Sequence, residues 1–205
     1  LIVKSITCDD LRSSEYYNKI QTIRQSHEWL NQASWLEKSP QAQLELYNPL
    51  IFQKIHLLDE VSRKNPYGDD HFVWVDAGIG NAQCDPSIFQ EKWYKDNILE
   101  DLDKFLFINF KYTGYNEIHG FAKAGLKEYV SEEIDRVSRA TFFGGRGSYV
   151  QFLSDKFREL AHKTLDAGYL GTEESIYTLM SYIHKNKINN AMIPGHGLVR
   201  GYFDS

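Results

Sequence analysis

Cysteine is scarce in this chain, with Cys8 and Cys84 its only two. Two thiols cannot build the disulfide framework of a secreted module, so a reducing, cytoplasmic setting is expected. Long apolar runs are missing as well. Nothing approaches the ~20 residues that a membrane-spanning helix needs, and the first residues lack the pattern of a secretory signal. No internal repeat, low-complexity tract or Pro/Ser-rich linker divides the 205 residues, which favours a single domain over residues 1–205. Positive charge is in deficit: 23 Lys and Arg face 28 Asp and Glu, a net charge of −5. That balance argues against a broad nucleic-acid-binding face. An initiator Met is also absent, so one module of a longer polypeptide is expected.

What the chain has in quantity is aromatic side chains, 13 Tyr, 12 Phe and 4 Trp. So many rings cannot all be core, and at a surface they suit flat ligands such as sugars and bases. The remaining composition, 42% hydrophobic and 25% charged, is that of a soluble globular domain able to form a core without metal or disulfide staples.

Leu1 to Ile6 reads as a short strand, and residues 13–38 as polar, partly amphipathic helix. Asn48-Pro49 marks a helix start, with Asn48 as cap and a stripe of Ile51, Ile55 and Leu58 behind it. Asn65-Pro66-Tyr67-Gly68 stops that helix. Phe72-Val73-Trp74-Val75 is an uninterrupted apolar run, the pattern of a strand buried on both faces, and it ends in Asp76-Ala77-Gly78. Asp85-Pro86 opens another helix, Phe105 to Ile108 is a second buried strand, and Arg139 to Phe143 a third, ending in Gly144-Gly145. Ser148 to Gln151 has capping-box spacing ahead of a helix carrying Val150, Leu153, Phe157, Leu160 and Ala161. A last helix starts near Thr172 and buries Ile176, Leu179, Met180 and Ile183. Strands alternating with helices predict an α/β fold with a mixed, mainly parallel central sheet flanked by helices.

Ligands of such sheets bind beyond the carboxyl ends of the strands, where Asp76 stands. An Asp there is either a turn former or, with Gly78 and Gly80 allowing close backbone approach, a carboxylate for a divalent cation. The dinucleotide fingerprint fits poorly, because its third glycine would fall at Gln83. Asp69 and Asp70 lie at the wrong end of the strand and read as solvated. Phe143-Gly144-Gly145 is either a tight turn or a place where substrate lies against the backbone. Glu173 and Glu174 either complement a helix dipole or position an acceptor hydroxyl and stabilise developing positive charge. His196, bracketed by Gly195 and Gly197 with Arg200 four residues on, suits a metal-and-phosphate site. The other histidines show no ligand spacing.

Asp76-Ala77-Gly78 after its strand resembles the metal-binding strand end of GT-A fold nucleotide-sugar glycosyltransferases. The stretch Ala140 to Gly145 followed by Thr172-Glu173-Glu174-Ser175 resembles the blood-group A/B transferase and α-galactosyltransferase family. His196 to Arg200 is similar to the C-terminal loop of glycogenin-like retaining transferases, with Arg200 where they carry Lys. Tyr47-Asn48-Pro49-Leu50 with Val73 to Gly78 resembles the bacterial HtrL/YibB-type family. The chain is also similar to the glycosyltransferase domain of a chlorella-virus capsid-modifying enzyme, which would make the setting a host cytoplasm. The likeness spans roughly residues 47–200, and it departs from the usual Asp-x-Asp in having Gly78 at the last position.

These resemblances imply a GT-A-like fold and transfer of a sugar from a UDP-sugar donor to a glycan acceptor, with retention of configuration. They imply Mn²⁺ or Mg²⁺ held by Asp76 and His196, and a diphosphate bound by Arg200 beside Ala77, Gly78 and Gly197. Glu174 would face the anomeric carbon, Glu173 would orient donor or acceptor, and Phe143, Gly144 and Gly145 would border the sugar pocket. The base is expected near the first strand end, at Thr7, Asp9 and Arg12. Two rivals remain, a non-catalytic carbohydrate-binding module and a nucleotide-sugar hydrolase.

Overall fold

The computed structural model describes residues 3–78, 98–195 and 199–203. The first part of the chain is helical throughout: α1 (Cys8–Arg12), α2 (Tyr17–Arg24), α3 (His27–Leu30), α4 (Pro40–Gln43), α5 (Tyr47–Ile51) and α6 (Lys54–Lys64). Residues 3–7 form no strand. Thr7 instead caps α1, exchanging hydrogen bonds with Asp10. The polar stretch 13–38 breaks into short helices that bury Tyr16, Ile20, Ile23, Trp29 and Leu36. Trp29 is anchored by its indole N–H, which donates to the Leu170 carbonyl at 2.8 Å, whereas Trp35 is exposed. The predicted helix over Asn48 to Leu58 is two helices separated at Phe52-Gln53, and Asn48 lies inside α5 rather than capping it. α6 ends as expected, with Asn65 in the left-handed conformation at φ 36°.

Among the described residues the strands are β1 (His71–Val75), β2 (Phe105–Lys111), β3 (Glu117–Ile118), β4 (Phe121–Ala122), β5 (Arg136–Arg146) and β6 (Ile188–Ile193). Between them lie α7 (Ile98–Leu102), α8 (Lys123–Leu126), α9 (Gly147–Asp166) and α10 (Glu173–Ile183), and α11 (Arg200–Phe203) comes last. The helix expected from Asp85-Pro86 falls outside the described residues.

The mixed α/β expectation holds, but the sheet is not mainly parallel in its pairing. Its order is β1-β5-β2-β6, and of the three pairs only β2 with β6 is parallel. Parallel neighbours need a long crossover, normally a helix. Between β2 and β5 the chain instead forms the β3–β4 hairpin and the single turn of α8, and it returns antiparallel. Because β5 opposes both of its neighbours, β1, β2 and β6 nevertheless point the same way, and their carboxyl ends share one end of the sheet. β6 was not visible in the sequence.

One face of the sheet carries α6, α9 and α10. The α9 stripe of Val150, Leu153, Phe157, Leu160 and Ala161 is buried as its spacing predicted, though the helix starts at Gly147 and Ser148 makes no capping-box bond. α10 is buried from Glu173 to Tyr182, with Ile183 alone largely exposed, so even its polar residues sit in the core. They are satisfied locally: Ser175 Oγ donates to the Ile118 carbonyl and Thr178 Oγ1 to that of Glu174. On the opposite face Phe142 packs against Tyr202 and Phe203 of α11. Among the described residues no helix is long and apolar enough to cross a membrane.

Candidate functional site

Asp76 is the first residue after β1, and its N–H continues the ladder to the Thr141 carbonyl at 2.9 Å. That bond aims its side chain over the same sheet face as Trp74, toward the starts of α6 and α10. Trp74 donates its indole N–H to Asp76 Oδ1 at 2.6 Å. Lys54, the first residue of α6, donates from Nζ to Asp76 Oδ2 at 2.8 Å and lies 2.8 Å from Glu173 Oε1. It also reaches the Ala140 carbonyl at 3.4 Å. One half-buried ammonium thus ties the end of β1 to the start of α10.

Glu174 is held differently. On β5 residues 139–142 stand opposite the single β2 residue Ile108, so part of β5 cannot pair with β2. α10 satisfies the freed backbone: Glu174 Oε1 accepts the Ala140 N–H at 3.0 Å, and Thr178 Oγ1 accepts that of Ser138 at 3.1 Å. Glu174 Oε2 lies 3.0 Å from His119 Nδ1 and 3.5 Å from Arg139. It makes no directed hydrogen bond there, so both contacts are Coulombic rather than aligned. His119 reaches this place through the β3–β4 hairpin. Its turn is His119-Gly120, with φ 51° and 94°, the positive pair that a two-residue hairpin turn needs. The turn is fastened by Gly120 N–H to Glu117 and by Gln41 to the His119 carbonyl. A histidine in the left-handed region is strained, and such strain collects at functional sites.

The two neighbouring glutamates therefore behave oppositely. Burial drives Glu173 up to about 7; Lys54 opposes this and Glu174 adds to it. Burial would raise Glu174 too, but His119, Arg139 and the Ala140 N–H outweigh it and hold the group down at about 2. Burial lowers His119, and the Glu174 carboxylate more than restores it, so the imidazole keeps its proton above the usual range. Burial likewise opposes charge on Lys54, and Glu173 and Asp76 raise its pKa in spite of that. Glu173 thus changes charge near neutral pH, and such a group suits proton transfer or donation to a hydroxyl.

Of the residues expected from sequence, Asp76, Glu173 and Glu174 are brought together. Ala77 and Gly78 follow in an exposed turn. Arg200 is exposed at the start of α11, which packs on Phe142, the partner of Val75 in the sheet. His196 and Gly197 lie outside the described residues. Three expectations are corrected. Phe143 is fully buried and stacks on Trp74, so it lines no pocket. Gly144 and Gly145 lie within β5, where a Cβ would come 2.2 Å from the Phe72 carbonyl and 2.4 Å from that of Lys104. They let neighbouring backbones approach, not a substrate. Thr7, Asp9 and Arg12 mark no strand end: Thr7 caps α1, Asp9 is exposed on it, and Arg12 pairs with Glu45 at 3.0 Å.

Sequence reading missed Lys54, Trp74, His119 and Arg139, and also Tyr47 and Tyr177. Tyr177, one turn after Glu173, is buried with a hydroxyl that has no partner among the described residues, and its pKa is raised by burial and by Glu173, Asp76 and Glu174. Tyr47 feels Glu173 as well. Beside it Asn48 is 1% exposed, and neither amide atom has a partner among the described residues. One signal was available: His-Gly between two apolar-containing pairs, Glu117-Ile118 and Phe121-Ala122, is a hairpin pattern. Among the described residues no three His, Cys, Asp or Glu side chains are grouped to hold a metal ion.

The sequence model of one family, described as "Bacterial protein of unknown function (HtrL_YibB)", matches residues 2–186. No curated protein and no solved structure matches the chain.

Proposed function

This chain belongs to the HtrL_YibB family, and from that premise and the geometry above we propose that it transfers a sugar from a UDP-sugar to a glycan hydroxyl. The observation that carries the reading is the convergence of Asp76 and Glu173 on Lys54 at the carboxyl end of β1. In parallel α/β sheets ligands bind beyond such strand ends, and motifs of several transferase families resemble the residues on both sides. A GT-A-like arrangement, with β1, β2 and β6 sharing a direction, belongs to the same proposal.

Asp76, whose side chain is 25% exposed against 5% for Glu173 and 10% for Glu174, is the carboxylate that meets the donor. Glu173, poised near neutral pH, hydrogen-bonds a sugar hydroxyl and takes or returns a proton there. Glu174 is already engaged by Ala140, His119 and Arg139. It fixes β5 to α10 and keeps a negative charge beneath an oxocarbenium-like centre rather than attacking it. Arg200 adds positive charge for the diphosphate, bidentately as guanidinium allows. Such preorganised charge is worth roughly 3 kcal/mol per group in a transfer reaction. Retention of configuration is part of the reading.

The resembled families use a divalent cation here. Among the described residues Asp76 is the expected ligand, and its oxygens are engaged by Trp74 and Lys54. Asp76 by itself makes no metal centre, and the other expected ligand, His196, lies outside the described residues; the roles set out above are those of side chains.

That same engagement of Asp76 favours a second reading, a sugar-binding domain without chemistry. Incubation with UDP-glucose, UDP-galactose and UDP-N-acetylglucosamine, following UDP release with and without glycan acceptors, separates the two. Acceptor-dependent release that Asp76→Asn and Glu173→Gln abolish supports transfer. Release of free sugar at full rate without acceptor means hydrolysis, and no release from any donor removes the catalytic reading.

A further inference from the structure

The chain leaves β2 at Lys111, on the end of the sheet that also carries Asp76, and forms a cavity of about 550 Å³. That volume is within the range of small-ligand sites. Tyr115, Asn116, Lys123, Lys127, Glu133 and Asp135 line it. The Tyr115 ring stacks on Tyr112 with centroids 4.6 Å apart and planes at 20°, yet the residue is 58% exposed. One face of the ring is thus backed and the other is free. Tyr112 is itself fixed: its N–H donates to the Asp135 carbonyl at 2.7 Å, and its own carbonyl accepts from Lys123 at 3.1 Å. A large exposed ring held in place loses little freedom when something lies on it.

The charges around the ring cancel. Lys123 and Lys127 stand one turn apart on and just after α8, and Glu133 and Asp135 supply two carboxylates. These four lining residues therefore carry no net formal charge, and Asp135 also lies 3.8 Å from Arg136. Asp135 is oriented by the Tyr182 hydroxyl at 2.7 Å. The side chains of Asn116, Lys127 and Glu133 have no hydrogen-bond or ion-pair partner among the described residues. Carboxylates that accept, ammoniums and an amide that donate, and one apolar platform match a ligand with hydroxyls around its edge and C–H bonds on its face.

We propose that this cavity binds a neutral saccharide, its ring lying on Tyr115 and its hydroxyls shared among Asn116, Lys127 and Glu133. Tyr112 meets His119 edge-on at 6.2 Å, and His119 contacts Glu174, so the cavity adjoins the charged cluster. Assignment of the bound sugar as the acceptor rests on the transferase reading; binding itself does not.

Saturation-transfer NMR with the methyl glycosides of glucose, galactose, mannose and N-acetylglucosamine tests this. At least one glycoside should receive saturation. Tyr115→Ala and Glu133→Gln, both at exposed positions, should weaken its binding roughly tenfold. Lys104→Met, exposed at the opposite end of β2 and outside the cavity, should leave it unchanged. No transfer to any of the four, or transfer that Tyr115→Ala leaves intact, overturns the assignment. Calorimetry with UDP on the same samples keeps the two readings apart. Glycoside binding without UDP binding upholds the cavity and removes the transferase, and UDP binding without glycoside binding does the reverse.

Discussion

Replacing Glu173 by Gln removes a carboxyl that burial drives into the neutral range, and the effect on stability can be worked out. A carboxyl moved from its usual 4.5 to about 7 binds a proton more tightly in the folded protein than in the unfolded chain. Its contribution is therefore fully present below pH 4.5 and is lost as the pH rises through 7. The shift corresponds to about 3 kcal/mol for a side chain as buried as this one. The native protein hides the slope, because burial holds His56 down at about 4 from its usual 6.5. That histidine contributes stability above pH 6.5 that is lost as the pH falls through 4, so the two groups oppose each other in the intervening window. Glu173→Gln leaves the His56 contribution and cancels the other. Urea unfolding of both proteins between pH 4 and pH 8 should show the variant gaining about 3 kcal/mol on the wild type as the pH rises. Difference curves flat to within about 1 kcal/mol would mean that Glu173 titrates in the folded protein as it does in the unfolded chain, and its assignment as a proton carrier would fall.

Gly144→Ala should destabilise the protein by more than about 2 kcal/mol, because the new methyl meets backbone rather than a movable side chain. A melting-temperature drop of less than about 3 °C would show that the strands are less tightly apposed than described. His119→Ala leaves Glu174 with Arg139 and Ala140 alone, at a cost of about 3 kcal/mol. The imidazole's pKa is raised by its carboxylate partner, so its contribution is complete below pH 6.5 and lost as the pH climbs through the raised value. The measured loss should accordingly be larger at pH 6 than at pH 9, and a pH-independent loss would deny the ion pair.

The elements legible in the sequence were those with an unambiguous apolar signature. The runs at Phe72–Val75 and Phe105–Ile108 and the stripe of α9 lie where they were read, but only the second run is fully buried: β1 is an edge strand with Val73 and Trp74 half-buried and Val75 exposed, not a strand buried on both faces. β6 escaped because Asn189 and Asn190 interrupt it, and both are satisfied across the fold, by Asp101 and Asn109. The pairing direction of the sheet depended on how residues 112–135 return to it, and no local pattern there distinguishes a hairpin-bearing loop from a crossover. At the site, Asp76 and the Glu173–Glu174 pair were readable because a strand end and a helix start announce themselves. Lys54 and Arg139 were not, since each acquires its role only when α6 or the β5 bulge is laid against α10. Gly144 and Gly145 misled for a physical reason: close approach is what glycine permits, and here the approaching partner is the protein's own backbone.

The central claim is that the cluster around Lys54 recognises a nucleotide-sugar. Calorimetric titration of UDP into the wild type and into Lys54→Met, with Mn²⁺ and with EDTA in parallel, tests it most directly. Micromolar binding to the wild type that the substitution weakens at least tenfold, about 1.4 kcal/mol, is the predicted result. Absence of UDP binding to the wild type under both conditions would contradict the claim.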